Sequence, residues 1–435
     1  MPSVDVPVAL LGYGTVGAAV HRLLEEQGEE IERATGHRLR VVRALVRDTA
    51  KERGFAPAPG VLTTEPADVL GDASIAIVAE VMGGVEPAGS HVLELLGSGR
   101  PVVTANKQLV ARRGAELFAA AASSGAQLRF EASVCAAIPV IKVLRESLVS
   151  TNVHRVVGIV NGTTNFVLSA MGDGRTYGEA LAEAQQLGYA EADPTDDVGG
   201  GDAAAKLAIL ATVAFGSRVP LEWVEVEGIE GVTPEHVHAA RALDMKVKLL
   251  ARATLANGRV DARVGPAFVD VHHPLATVEG PFNAVMLQGD AIREITLEGP
   301  GAGGIETASA VVADLVSIVG TSGTGFLQDD PVWRELERLP PGDLASPWYL
   351  RLTVDDRAGV LERLAHELAA EGVSVARLVQ QPVDGHATLH VVTHEAPAGR
   401  VESALAAIRA LPESRGDADA IPVVSERGVE ELGWA

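Results

Sequence analysis

VPVALLGYGTVGAAVHRLLEEQG, Val6 to Gly28, is the stretch whose reading decides the fold. Val6 to Leu11 is an apolar run of strand length, a glycine turn follows, and from about Thr15 the apolar positions recur at helical spacing. Gly12, Gly14 and Gly17 form a GxGxxG pattern at this junction. The first glycine permits the tight turn, the second lets backbone approach a pyrophosphate, and the third allows close helix-to-strand packing. The pattern alone is weak. Its place after a strand and at the opening of a helix makes a dinucleotide site the expectation, against a bland glycine turn.

Further along, Leu39 to Val46 reads as a second strand, followed by Arg47 and Asp48, with Lys51 and Arg53 just beyond. An acid at this strand end accepts from the ribose hydroxyls of NAD, whereas a cation suits the 2'-phosphate of NADP. The alternative is an ordinary charged turn. Strands at Ser74–Val81, Pro101–Thr104 and Gln127–Phe130 alternate with helices ending near Gly97 and covering Glu116–Ala122. This is the pattern of a doubly wound parallel sheet, whose ligands sit beyond the C-terminal strand ends. TANK, Thr104 to Lys107, lies at such an end, which makes Lys107 a candidate active-site residue.

At 435 residues and 47% hydrophobic, the chain has material for two or three domains. It has no run of eighteen apolar residues, and a strand pattern follows MPSVDVP directly, so the expectation is a cytoplasmic protein. A net charge of -22, from 36 basic and 58 acidic side chains, argues against nucleic acid or anionic membrane as partner. The single cysteine, Cys135, excludes an intrachain disulfide and a cysteine-cluster metal site.

The second informative stretch is LGYAEADPTDDVGGGDAAAKLAIL, Leu187 to Leu210. Glu191, Asp193, Asp196, Asp197 and Asp202 crowd a Gly/Pro-punctuated loop that opens into an Ala-rich helix with one lysine, Lys206. Asp202 and Lys206 stand four apart, on one helix face. Burying an ammonium in such a helix is costly unless it is paired or employed, so the choice lies between a helix-start ion pair and an acid-lysine reaction site.

Glu131 and Cys135 lie in EASVCAAIP, where the thiol reads as a buried small residue rather than a nucleophile. A helix is expected over Val140–Leu148, then a strand in VHRVVGIV, then Asn161, Thr163, Thr164 and Asn165, which orient a small polar ligand or cap a helix running Phe166–Met171. Runs at Trp223–Ile229, Lys246–Thr254, Arg259–Phe268, Asn283–Gln288 and Ile292–Gly299 indicate a mixed or antiparallel sheet. GPGAGG, ending at Gly304, either covers a cofactor or turns the chain into the next helix. Gly320–Ser346 reads as a linker anchored by Trp333, and from Trp348 the order strand, helix, strand, hairpin, strand, helix, with a last strand near Ala420–Val424, is a split-βαβ unit. Its His366, His386, His390 and His394 have no zinc-like spacing.

Six blocks in order, GYGTVG (Gly12–Gly17), TANKQLVA (Thr104–Ala111), FEASVCAAIP (Phe130–Pro139), GIVNGTTNF (Gly158–Phe166), LGYAEADPTDDVGGGDAAAKLAILA (Leu187–Ala211) and GPGAGGIETASAVVADL (Gly299–Leu315), closely resemble homoserine dehydrogenases of the longer monofunctional type. The resemblance implies an α/β chain: a Rossmann-like dinucleotide-binding domain over 1–130 completed by part of 305–325, an α+β substrate and dimerisation domain over 131–304, a returning helix and linker over 305–346, and a ferredoxin-like ACT domain over 347–435. It implies reversible interconversion of L-homoserine and L-aspartate 4-semialdehyde, with NADP(H) preferred over NAD(H). Lys107, Lys206 and Asp202 would be catalytic, with Lys107 as proton-transfer group; Glu191, Asp197, Gly162 and Thr163 would bind substrate. Gly12, Tyr13, Gly14, Thr15, Val16, Gly17, Arg47 and Lys107 would bind cofactor. Glu131, Val134, Ala136 and Ile138 resemble a monovalent-cation site, for sodium, and Cys135, Ala136 and Ala137 depart from the family's glycine-rich pattern there. Asp355, Arg357, Ala358 and Gly359 resemble the ligand turn of ACT domains, with threonine as effector and a homodimer or higher homo-oligomer as the assembly. Two other readings stand beside it: a dehydrogenase acting on another amino-acid-pathway carbonyl, and a non-catalytic dinucleotide and amino-acid sensor.

Overall fold

The fold is described from a computed structural model, which covers residues 3–242, 244–320, 343, 345–383 and 385–422. Most of the expected linker, with Trp333, lies outside the described residues, as do the last residues of the strand expected at Ala420–Val424.

The chain divides into two compact units, Met1–Val332 and Trp333–Ala435. In the first, β1 (Val4–Leu11), β2 (His37–Leu45), β3 (Leu62–Thr63), β4 (Ile77–Glu80), β5 (Val102–Thr104) and β6 (Leu128–Arg129) form a parallel sheet in the order β3-β2-β1-β4-β5-β6. The order reverses beside β1, which sets the ligand crevice at its C-terminal end. Val8, Leu10, Ile77 and Val103 are apolar and buried, as expected of strands covered on both faces. The helix Gly304–Gly320 returns to this sheet, where Ala308, Val311 and Leu315 join Val8, Leu10 and Val20 in one core.

A second sheet follows: β7 (Val153–Ile159), β8 (Glu225–Val226), β9 (Met245–Ala256), β10 (Arg259–Asp270), β11 (Phe282–Gly289) and β12 (Arg293–Pro300), in the order β12-β11-β7-β9-β10-β8. It is antiparallel except for the β8–β10 pair. The strand expected at Trp223–Ile229 is reduced to the two residues of β8, because Leu221–Trp223 forms a 3-10 turn and Gly228 packs against the backbone of Val198 and Gly199. The helix expected from Val140 to Leu148 changes character partway, α over Val140–Lys142 and π over Val143–Ser147.

In the second unit, β13 (Ala345–Ser346) pairs β17 (Ala396–Pro397), while β14 (Trp348–Asp355), β15 (Val375–Val383), β16 (His386–Thr393) and β18 (Ser414–Pro422) form an antiparallel sheet ordered β15-β16-β14-β18. The helices Val360–Ala370 and Ala398–Arg409 pack their apolar stripes on it through Leu364, Leu368, Val401 and Leu405. The split-βαβ reading holds, though the last strand begins earlier than expected.

Candidate active site

At the end of β1 the three glycines have three different surroundings. Gly12 has φ +106°, and a Cβ there would stand 2.8 Å from the Val81 carbonyl oxygen. At Gly17 a Cβ would lie 2.4 Å from the Gly12 carbonyl oxygen, whereas at Gly14 it would meet nothing. The first two are steric necessities of turn and packing; the third leaves the backbone open to a ligand. Gly14 is also the N-cap of the helix Thr15–Glu26, whose first amides have no side-chain cap. That end is suited to phosphate.

It opens on a cavity of about 1160 Å³, which Gly12, Tyr13, Gly14, Thr15, Arg47 and Gly304 help to line. Val16 is half-buried behind them and Tyr13 contributes backbone, since its ring is buried and its hydroxyl meets His21 Nδ1 at 2.7 Å. The Asp48 carboxylate accepts from the Ala50 amide at 2.8 Å, closing its own turn. Arg53 donates to the carbonyls of Tyr13, Lys51 and Asp48 and so clamps this turn. Gly304 leaves room for Thr15, whose Cγ2 would be 2.7 Å from a Cβ there. The glycine-rich GPGAGG segment therefore closes on the nucleotide loop as well as turning the chain.

The reaction-type groups converge from two helices and one strand end. Lys107 opens the helix Lys107–Ser124 behind Asn106, whose side chain caps it by accepting from the Leu109 amide at 3.1 Å. Asp202 and Lys206 lie on the helix Gly201–Ala214, buried from Asp202 to Ala211. Lys107 Nζ donates to Asp202 Oδ1, and Lys206 Nζ pairs with Asp202 Oδ2 at 2.9 Å while donating to the Val160 carbonyl at 2.8 Å. The side chains are 35% (Lys107), 3% (Asp202) and 11% (Lys206) exposed, so Lys107 is the most accessible of the three. Burial pushes the Lys107 ammonium pKa down, but Asp202, with help from Asp196 and Asp197, more than reverses it and the net shift is upward. At Asp202 burial is likewise outweighed by the two lysines, and the carboxyl is held far below the usual range.

β7 ends beside this triad. Asn161 caps the helix Gly162–Gly172, accepting from the Thr164 amide at 2.9 Å, and its Nδ2 donates to Asp197 Oδ1 at 2.7 Å and Asp202 Oδ2 at 2.8 Å. Thr163 Oγ1 donates to the Tyr189 carbonyl at 2.5 Å and lies 3.3 Å from Asp197 Oδ2. Burial raises the Asp197 pKa. A Cβ at Gly162 would stand 2.5 Å from the Pro281 carbonyl oxygen, so this glycine is required by packing. The helix begins four residues before the expected Phe166, since Asn161 is its cap.

Of the five loop acids, Asp197 and Asp202 enter the cluster. Asp193 closes its own turn on Thr195, Asp196 is exposed beside Gly201, and Glu191 is exposed with no side-chain bond among the described residues.

The Glu131 carboxylate, expected as a cation ligand, is held by two backbone amides. Its two oxygens accept from the amides of Ile141 at 2.8 Å and Lys142 at 2.7 Å, and burial pushes its pKa up to about 7. Val134 and Ala136 are buried, and their carbonyls accept no hydrogen bond among the described residues, whereas the Ile138 carbonyl accepts from Val140. Unpaired carbonyl oxygens suit a hard cation, so the backbone fits one even though the carboxylate is engaged. Ala136 has φ +44°, a conformation that favours glycine. Cys135 is buried and free, its thiol pushed up to about 11 by burial, which agrees with a packing role.

In the second unit Gly359, φ +90°, caps the helix Val360–Ala370, and the amides of Ala358 and Gly359 make no hydrogen bond among the described residues. Asp355 pairs with Arg415, and Arg357 donates to Glu413 Oε1 at 2.6 Å. Sequence reasoning missed Glu413, as it missed Glu80, buried at the end of β4. Glu80 stands alone between apolar neighbours and Glu413 lies in an ordinary polar turn, so only the fold reveals their partners.

Three family models match in order: the NAD-binding domain of homoserine dehydrogenase over residues 12–131, homoserine dehydrogenase over 139–316, and the ACT domain over 348–413. The chain is 44% identical over 414 residues to a homoserine dehydrogenase of Mycobacterium tuberculosis, covering 91% of this chain and 92% of that one. It is 39% identical over 395 residues to one of Bacillus subtilis, covering 89% and 91%. Among solved structures, a homoserine dehydrogenase from Thiobacillus denitrificans superposes with a TM-score of 0.71 at 40% identity, over 97% of this chain and 99% of that one. A hyperthermophilic archaeal homoserine dehydrogenase in complex with NADPH superposes with a TM-score of 0.62 at 30% identity, over 74% and 100%.

Proposed function

The chain belongs to the homoserine dehydrogenase family, and from that premise we propose how its own residues divide the reversible NAD(P)-dependent interconversion of L-homoserine and L-aspartate 4-semialdehyde that it catalyses. The reaction is a step of threonine, methionine and isoleucine biosynthesis. The bound dinucleotide supplies or accepts the hydride. The observation that carries the division of labour is the shared carboxylate: Asp202 holds both ammonium groups, one fixed and one accessible.

Lys206, held by Asp202 and the Val160 carbonyl, provides a fixed positive charge for the developing alkoxide. Lys107, held by Asp202 alone, is free to exchange its proton; it donates to the alkoxide in reduction and recovers a proton from the homoserine hydroxyl in oxidation. Asp197, with Glu191 swinging in from its exposed loop, receives the substrate ammonium, and the start of the helix Gly162–Gly172 at Thr163 meets the substrate carboxylate. Turnover measured with homoserine and with aspartate semialdehyde tests the substrate. Absent activity on both, beside robust activity on another aldehyde, would overturn it.

For the cofactor we propose NADP(H) ahead of NAD(H). Support comes from Arg47, which lines the cavity without a partner among the described residues, and from Asp48, whose carboxylate is spent on its own turn. Sodium is proposed at the carbonyls of Val134, Ala136 and Ile138, where it would stiffen the segment after β6. Assembly as a homodimer or higher homo-oligomer is supported by the exposed apolar side chains Val226, Phe268 and Phe282 on the second sheet. The unbonded amides of Ala358 and Gly359 support an amino-acid carboxylate at that turn, with threonine as the leading effector. A cytoplasmic location completes the proposal, and fractionation of expressing cells checks it.

A further inference from the structure

Glu80 is the last residue of β4, is 0% exposed, and pairs with Thr104 across to β5. It has no cationic partner among the described residues. Instead, donors converge on it from two segments, Met82 on one side and Thr104 to Asn106 on the other. Glu80 Oε2 accepts from Thr104 Oγ1 at 2.6 Å; Oε1 accepts from the Met82 amide at 2.8 Å and from Asn106 Nδ2 at 3.4 Å; and its own carbonyl accepts from the Ala105 amide at 3.1 Å. Thr104, Ala105 and Asn106, the whole turn before Lys107, are thus each tied to this one residue. Asn106 Nδ2 also donates to the Gly84 carbonyl at 2.5 Å, and its Oδ1 caps the helix that Lys107 begins.

Burying a carboxylate without a counter-ion is costly, and here burial raises its pKa, which these donors offset only in part. An apolar side chain would spare that cost but leave the Thr104 hydroxyl and the Met82 amide without their acceptor, and Asn106 Nδ2 with the Gly84 carbonyl alone. The same carboxylate reaches the other wall as well, because Met82 and Gly83 line the dinucleotide cavity.

We propose that Glu80 is a positioning residue for the reaction: through Thr104 and Asn106 it fixes the turn that aims Lys107 at Asp202, and through Met82 it sets that turn against the cofactor wall. This rests on the reading of Lys107 as the proton-transfer group. Glu80 is fully buried and does not itself line the cavity, so it acts through the segments that it holds.

The test is steady-state turnover of the full chain carrying Glu80→Met, which keeps the length and removes the acceptors, and Glu80→Gln, which keeps an acceptor for Met82 and Asn106. Each is also made in a Lys107→Ala background. Glu80→Met should lower kcat by about tenfold or more, with KM for homoserine changed much less, as a misplacement of about 1 Å does. Glu80→Gln should recover most of the loss, and in the Lys107→Ala background Glu80→Met should change kcat no further. An equal loss in both backgrounds, or none in either, would overturn the proposal. Wild-type turnover in Lys107→Ala alone would instead reject the role of Lys107. If Glu80→Met does not fold, Glu80→Asp, with its carboxylate drawn back one methylene, takes its place with the same expectations in both backgrounds.

Discussion

Asp202 is where two ammonium groups meet one carboxylate, and its charge decides when Lys107 releases a proton. Since the Lys107 pKa is raised, homoserine oxidation, which needs the amine neutral, should climb with pH up to and past the usual lysine value of about 10.4, while reduction stays level. Asp202→Asn removes the charge that outweighs burial. The pH profile of kcat/KM for homoserine at saturating NADP should therefore move its limb to lower pH in that variant; an unmoved limb would mean that another group is titrating. Arg47 supplies a second residue-scale prediction. Arg47→Ala should weaken kcat/KM with NADP by about tenfold or more and leave NAD little changed, because a charge-assisted hydrogen bond contributes about 1.5–3 kcal/mol. Equal losses with both cofactors would take Arg47 away from the 2'-phosphate.

The nucleotide loop separates folding from binding among its elements. Gly17→Ala should destabilise the protein, since the new methyl meets the Gly12 carbonyl, whereas Gly14→Ala should keep the thermal midpoint and weaken NADP binding. Matched losses of stability in both would show that Gly14 serves packing too. A second buried lysine makes a different prediction. Lys248 on β9 is 1% exposed, donates to the carbonyl of Val278 at 2.5 Å and to Asn165 Oδ1 at 3.1 Å, and burial brings its pKa down to about 8. Asn165 in turn donates to the carbonyls of Val278 and Gly280, so the pair fastens the loop before β11 to the helix that presents Thr163. Lys248→Ala should cost about 2–4 kcal/mol in denaturant unfolding, since it leaves Asn165 Oδ1 without a donor and takes one of two donors from the Val278 carbonyl; no change would show that water replaces the ammonium. Lys206, four residues from Asp202, was legible as an employed lysine because period and composition both mark it. Lys248 was not, because its neighbours in β9 follow strand alternation and its partners come from far along the chain.

At the scale of the whole molecule, the doubly wound sheet, the antiparallel sheet and the split-βαβ unit could all be read from alternation and turn residues, since each element carries its own apolar period. The meeting of Lys107 with Asp202, ninety-five residues apart, could not; no local pattern encodes a contact that two domains create by packing. Regulation belongs to this scale. Threonine should inhibit the full chain and not a chain ending at Ser346, provided that both fold and keep the same oligomeric state; equal responses would remove the second unit from control. The most direct test of the account is the turnover of Lys206→Ala with homoserine and NADP, measured beside its NADP affinity and circular dichroism. The account predicts a kcat reduced about a hundredfold or more, with folding and cofactor binding retained. Near-normal turnover would contradict it.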